Sequence, residues 1–370
     1  MNTHQDKNWK EQLLFLDNAF SQEQCVIIDG SFEKGFPRYL SWSREFSTNN
    51  PFEKYPKLEF LLDVYFDDSL LPTVKNLKNY DNIVSLQVSG QYEFRKRDCF
   101  DEWMGYIAQI PNVRYCEIIF QSYPPPVQIP VGFPYLELLI IEASLHELPL
   151  EIERCEKLLY CNLRFVDFSQ LWSDGFDRLK PCRQLRYLDL QYAKLQVFPE
   201  ALTQMPALEE LNLVANEIEV LPVSIGNMPV LKDLNLSGNG LATIPQEFGE
   251  IHSLEILNLS HNDLSELPKS MMKLQQLQLF DIGYNQLSQL PEWICKLSHL
   301  KVLSLHHNQI ADIPWDMSKL KQLTHLKRLD LANNPLSEDC KRRLREVFPL
   351  DGPVRVTLDE TDYAYYRNKA

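Results

Sequence analysis

Two groups of side chains in this 370-residue chain are of types suited to chemistry or recognition. The first is His261, Tyr284, His306 and His307, in which His261, Tyr284 and His307 recur every 23 residues. Imidazoles are the commonest metal ligands among side chains, zinc included. Their spacing argues against that role. Side chains one repeat apart sit on neighbouring strands, about 4.8 Å apart, so His261 and His307 stand roughly 10 Å apart. A shared zinc requires Zn–N bonds of about 2.0–2.1 Å. No carboxylate or cysteine completes a set, so neither a metal nor a cofactor is expected. The second group is Tyr160, Arg164, Phe165, Tyr187 and Tyr192. Exposed Tyr, Phe and Arg anchor binding surfaces, because each buries a large area with few rotors or forks two hydrogen bonds. The plainer alternative for both groups is that the rings cover neighbouring strands.

Catalytic patterns are poor. Gly30-Ser-Phe-Glu-Lys-Gly35 has phosphate-loop spacing, but Phe36-Pro37 stands where Lys-Ser/Thr is required. Neither G-x-S-x-G nor H-E-x-x-H occurs. The segment Arg95-Lys-Arg-Asp-Cys99-Phe-Asp101 surrounds a thiol with basic side chains, which lower a thiol pKa and favour the thiolate. The alternative is an ordinary loop cysteine. The chain is therefore expected not to be an enzyme.

The elements that position these side chains are legible as a repeat. From Leu208 the chain reads Leu208, Leu211, Leu213, Asn216, Ile218, Leu221, Pro222. The same positions recur from Leu231, Leu254, Leu277 and Leu300, a period of 23 residues. The alternating core of each unit predicts a short strand with one buried face. The recurrent Asn offers an amide to backbone groups left unpaired by a turn. Proline then ends the extended segment. Beyond it come apolar pairs three residues apart, such as Ile225 and Met228 or Phe248 and Ile251, a spacing suited to one helical or 3₁₀ turn. Weaker copies begin at Leu185, Leu158 and Tyr135, the last read as Tyr135, Leu138, Ile140, Ala143, Leu145 and Leu148. Val113, Cys116 and Ile118, then Ile83, Leu86 and Val88, then Leu62 and Val64, look like strands of degenerate copies. Val26 to Ile28 reads as a further edge strand.

The pattern L-x-x-L-x-L-x-x-N-x-L-x-x-L-P is identified as a leucine-rich repeat. Its 23-residue form resembles the intracellular Ras-binding and Scribble-like group. It is also similar to bacterial repeat proteins, secreted effectors among them. The C-terminal N-P-L-S-E-D segment with R-L-R and F-P resembles a helical cap frequent in bacterial members. Cys99-x-Asp101 resembles the active-site motif of bacterial repeat-containing ubiquitin ligases, although those carry a separate helical domain after the repeats. The resemblance implies an α/β leucine-rich-repeat solenoid, a horseshoe with a parallel concave sheet, short helices or 3₁₀ turns on the convex side, and helical caps. Residues 1–57 read as an N-terminal cap region, 58–134 as degenerate repeats, 135–336 as regular repeats and 337–370 as a C-terminal cap. Trp9, Leu13, Leu16 and Phe20 share one face of an N-terminal cap helix. Ser337-Glu-Asp starts a C-terminal one, whose apolar face is Cys340, Leu344, Val347 and Phe348.

Composition narrows the partner. The formal net charge of −14 repels phosphate backbones, so nucleic acid is not expected. The basic run Lys341, Arg342, Arg343 and Arg345 reads as a solvated helix face. Eight scattered cysteines without a C-x-x-C pair favour a reducing compartment. No leader or membrane span is read, so a cytoplasmic location is expected, with signal-less delivery into a host cell left open. The expected function is protein binding on the concave face through the two groups named above, by a chain that is favoured to be a monomer. Two alternatives stay open: a bacterial effector or enzyme acting through residues 1–110 and Cys99, and recognition of a small or carbohydrate ligand.

Overall fold

The computed structural model describes residues 25–27, 39–41, 60–65, 83–90, 105–120, 131–142, 145–171, 173–359 and 361–362. The expected N-terminal helix around Trp9 to Phe20, the Gly30–Gly35 segment, Cys99, Ala143 and Trp172 lie outside them. The chain divides into two units, residues 1–143 with 149–158, and residues 144–148 with 159–370.

In the first unit, β1 (Cys25–Ile27) pairs in parallel with β2 (Tyr39–Ser41). A second parallel sheet runs through β3 (Phe60–Tyr65), β4 (Ile83–Gly90), β5 (Tyr115–Phe120) and β6 (Leu138–Glu142). The residues expected on strands fall in register: Leu62 opposite Leu86, Val64 opposite Val88, then Leu86 opposite Cys116 and Val88 opposite Ile118.

The register continues onto Leu139 and Ile141, which corrects the sequence expectation for this repeat. The buried residues are Leu136, Leu139 and Ile141, while Tyr135 is 46% exposed under the Lys157 ammonium. The expected set Tyr135, Leu138 and Ile140 lies one residue away. A slip of one residue exchanges the faces of a strand. Its origin is a missing residue: Ile141 and Leu145 are one position closer than Leu213 and Ile218. A register counted upstream from Leu145 therefore lands on the wrong face.

The second unit is a run of nine parallel strands among the described residues. They are β7 (Tyr160–Asn162), β8 (Tyr187–Asp189), β9 (Glu210–Asn212), β10 (Asp233–Asn235), β11 (Ile256–Asn258), β12 (Leu279–Asp281), β13 (Val302–Ser304), β14 (Arg328–Asp330) and β15 (Arg355–Thr357). Each pairs with the next in sequence, without offset. The middle residue of every strand, from Cys161 through Leu211 and Leu234 to Val356, is buried. The first residue of each strand faces the open side.

Opposite the strands, 3₁₀ turns follow the prolines, at Glu200–Gln204, Val223–Asn227, Gln246–Glu250, Lys269–Lys273 and Glu292–Lys296. Pro199, Pro222, Pro245, Pro268 and Pro291 each stand just before a turn, with φ between −66° and −71°, the value their rings impose. The predicted apolar pairs, Ile225 with Met228 through Met317 with Leu320, are all buried. Successive turns approach closely: a Cβ on Gly249 would lie 2.3 Å from the Ser270 carbonyl oxygen.

The asparagines form the expected ladder. The Asn262 amide donates to the carbonyls of Leu236, Leu259 and Ser260, and its oxygen accepts from the Leu241 N–H at 3.0 Å. Asn216, Asn239, Asn285 and Asn308 repeat the set. At the C-terminus, α1 (Glu338–Val347) starts where the Ser337 hydroxyl accepts from the Cys340 N–H at 3.1 Å. Cys340, Leu344, Phe348, Val356 and Leu358 are buried beneath or beside it.

Candidate functional site

The open side of the second unit consists of columns, one residue per repeat. Taking the first leucine of L-x-x-L-x-L-x-x-N as position one, three columns matter: the third, the fifth and the seventh with the eighth.

The fifth column is structural. The side-chain oxygens of Asn162, Asp189, Asn212, Asn235, Asn258, Asp281 and Asp330 accept from the backbone N–H two residues on. This bond holds the chain as it leaves the strand. Asp189 is 2% exposed and also accepts from the Tyr187 hydroxyl and the Gln191 amide.

The eighth column carries the exposed rings. Phe165, Tyr192, Ala215, Gly238, His261, Tyr284, His307 and Asn333 all have positive φ, between +52° and +68°. The left-handed conformation costs a residue with a Cβ about 1–2 kcal/mol, yet only Gly238 is a glycine. Backbone bonds extend the ladder here, as Tyr192 donates to the Val214 carbonyl and Tyr284 to that of His306. The identical conformation brings the side chains into one row. Phe165 and Tyr192 stack at 5.1 Å. The Arg164 guanidinium lies 5.6 Å from the Phe165 centroid. After the gap at Ala215 and Gly238 comes a second stack, in which Tyr284 lies between His261 at 4.0 Å and His307 at 4.1 Å. Asn333 Nδ2 and His307 Nε2 are 2.8 Å apart at its end.

His306 meets Tyr284 edge-on at 5.0 Å, and its ring covers Gly283, where an added Cβ would fall 2.4 Å from Nδ1. The Ser304 hydroxyl and His306 Nδ1 are 2.7 Å apart. The four residues of this expected group therefore do come together. The other group is arranged as two pairs. Phe165 and Tyr192 stand beyond the strand ends, while Tyr160 and Tyr187 begin β7 and β8 and stack at 4.2 Å. Tyr160 and Tyr187 are half-buried. Burial, and next the Asp189 carboxylate, push the Tyr187 phenol well above its ordinary range. Tyr160 is also raised, chiefly by burial. Both phenols stay protonated at physiological pH, and that of Tyr187 donates to Asp189.

The third column contains residues that sequence reasoning passed over. From β7 to β15 it reads Tyr160, Tyr187, Glu210, Asp233, Ile256, Leu279, Val302, Arg328 and Arg355, each opposite the next. Ile256 is 37% exposed, with Asp233 opposite it on one side and Leu279 on the other. Reading by repeat position instead of by side-chain type would have found this order.

Cys116, Cys155, Cys161, Cys182, Cys295 and Cys340 are free and buried. Burial and then Glu292 push Cys295 up to about 11, and burial raises Cys116 further, so both remain thiols at neutral pH. No group of three metal-ligating side chains occurs among the described residues. None of their helices is long and apolar enough to cross a membrane.

Parallel three-residue strands, outer 3₁₀ turns and an asparagine ladder define a leucine-rich-repeat solenoid. The chain is a leucine-rich-repeat protein by fold, and residues 224–348 match the family model described as a leucine-rich repeat region. Comparison with curated proteins gives no match. Among solved structures, the chain is similar to an internalin from Listeria monocytogenes, at 19% identity and TM-score 0.57, over 83% of this chain and 76% of that one. It is similar to TLR13 in its complex with ssRNA13, at 20% identity and TM-score 0.63, over 86% of this chain and 46% of that one. A third likeness, at 23% identity and TM-score 0.53, is to the ectodomain of a plant membrane receptor kinase from Arabidopsis thaliana in complex with CASPARIAN STRIP INTEGRITY FACTOR 2. It covers 77% of this chain and 40% of that one. At these identities the likeness is one of fold.

Proposed function

We propose that the chain is a non-enzymatic binding module that holds a partner protein on the open face of residues 159–370. The observation that carries this reading is the row of exposed rings in the left-handed eighth column. Phe165, Tyr192 and Tyr284 are 47%, 49% and 41% exposed. Rings of this size raise both the backbone cost and the exposed apolar area, and glycine would relieve both. Binding that covers the rings offsets that cost, since a large rigid ring contributes much area for little lost rotamer freedom. The two stacks frame the small residues Ala215 and Gly238, over which a protruding partner segment fits. The chain's net charge of −14 favours protein over nucleic acid, although one structural relative is seen with RNA. The alternative resting on Cys99 and most of residues 1–110 falls outside the described residues.

The test is to replace Tyr192 and Tyr284 together by glycine. The expected outcome is a melting temperature equal to or above that of the wild type, because glycine relieves φ of +56° and +53°. Capture of the partner in a crosslinking pull-down should fall at least tenfold. A variant that melts several degrees lower yet captures the same partner undiminished would mean that the rings serve the fold alone.

A further inference from the structure

The third column gives the open face a chemical order. Pairing without offset places Glu210, Asp233, Ile256, Leu279, Val302, Arg328 and Arg355 side by side on consecutive strands. Neighbouring strands stand about 4.8 Å apart. An acidic pair, an aliphatic trio and a basic pair therefore follow one another along a single line. The centres of the two charged pairs are five strand spacings apart, roughly 24 Å, with Leu279 midway. At the basic end Arg328 and Arg355 are exposed, and Arg328 bonds the buried carboxylate of Asp330 at 2.8 Å. Ile256 is exposed, and Leu279 and Val302 are half-covered.

We propose that this line holds an extended peptide segment of the partner, which crosses the strands with an acidic residue over Arg328 and Arg355, aliphatic residues over Ile256, Leu279 and Val302, and a basic residue over Glu210 and Asp233. The proposal rests on the protein-binding reading above and adds the chemistry of the bound segment. Charge complementarity fixes its polarity, since a reversed segment sets like charges together at both ends. An extended chain advances about 3.3–3.4 Å per residue, so the acidic and basic residues of the segment stand about seven positions apart. The aliphatic contact over Leu279 falls three to four residues from each, and those over Ile256 and Val302 about two residues from the nearer charge.

The experiment is selection of phage-displayed random peptides of 16 residues on the full chain, repeated on Arg355→Glu and on the Glu210→Lys, Asp233→Lys double variant. Arg355 is chosen because Arg328 must stay to pair Asp330; circular dichroism checks that each variant folds. Selected wild-type peptides should carry an acidic and a basic residue about seven positions apart with aliphatic residues between. They should bind Arg355→Glu at least tenfold more weakly. Selection on Arg355→Glu should exchange the acidic residue for a basic one, and selection on the double variant should exchange the basic residue for an acidic one. Peptides without this charge order, or with the same order on all three proteins, overturn the proposal, as does failure to enrich any peptide. If unordered peptides are enriched and lose binding with Tyr192→Gly and Tyr284→Gly, binding on the open face survives while the ordered line does not.

Discussion

The ladder asparagine does the work of several residues at once. Asn262 is 7% exposed, donates to three carbonyls and accepts from one N–H. Leucine at this position would leave those backbone groups without a partner in a place water does not reach. Each orphaned buried group costs about 1–3 kcal/mol, and neighbouring strands share the damage. Asn262→Leu is expected to lower stability by roughly 3 kcal/mol or more in a denaturant titration. Asn258→Ala, on the open side, removes a single bond to the Ser260 N–H and should cost only about 1 kcal/mol. Equal midpoints for the two variants would contradict the difference in burial. The role of Asn262 was legible in the sequence, because a polar residue recurring between apolar ones must be satisfied by backbone. The left-handed conformation of Tyr192 and Tyr284 was not, since their types give no hint of it; it follows from a turn geometry set by the residues on either side.

Repeats are tied to one another by side chains on their turns as well as by their strands. Asp167, after β7, accepts from the Lys194 ammonium at 2.6 Å and from the Ser169 N–H at 3.1 Å. Partial burial alone would raise its pKa, but the bonds from Lys194 and Ser169 outweigh that and hold it at about 2, below the ordinary 3.8. A carboxyl with a depressed folded pKa adds stability above its unfolded pKa, and that stability is lost as pH falls towards the folded one. Asp167→Asn keeps an oxygen for Ser169 and loses the charge. It should melt slightly below the wild type at pH 7, with the gap closing between pH 4 and pH 2. Lys194 is 58% exposed, so the effect is about 0.5–1 kcal/mol and shrinks in 1 M salt. A gap that stays constant down to pH 2 would show that the loss is one of packing. At this same scale the sequence was legible where the period was strict, from Leu208 to Pro314, and misleading where it was not. The repeat beginning at Leu136 is short by one residue, and only strand pairing reveals which face Leu139 and Ile141 occupy.

Stability in a stack of repeats is a sum over neighbours, so its ends are its weak points. In the second unit the C-terminal end is covered by α1 and β15. Cys340, Leu344, Phe348, Val356 and Leu358 are each at most 7% exposed there. Burial of a large apolar side chain contributes about 1.5–3 kcal/mol, so the cover accounts for something on the order of 10 kcal/mol before chain entropy is subtracted. Total stabilities of domains are of similar size. A chain ended after Asn334 should therefore lose more than any point substitution, and lose it locally. The Leu331 N–H, which donates to the Thr357 carbonyl at 2.8 Å, would lose its acceptor, and β14 would become an unpaired edge. Hydrogen exchange read strand by strand should show β13 and β14 losing most of their protection in the truncated chain. Protection in β8 and β9, five and more repeats away, should change little, because no contact links them directly to the cover. Uniform loss along the whole unit would instead mean that residues 159–370 unfold as one cooperative block, and binding on the open face would then depend on the C-terminal cover as much as on the rings themselves.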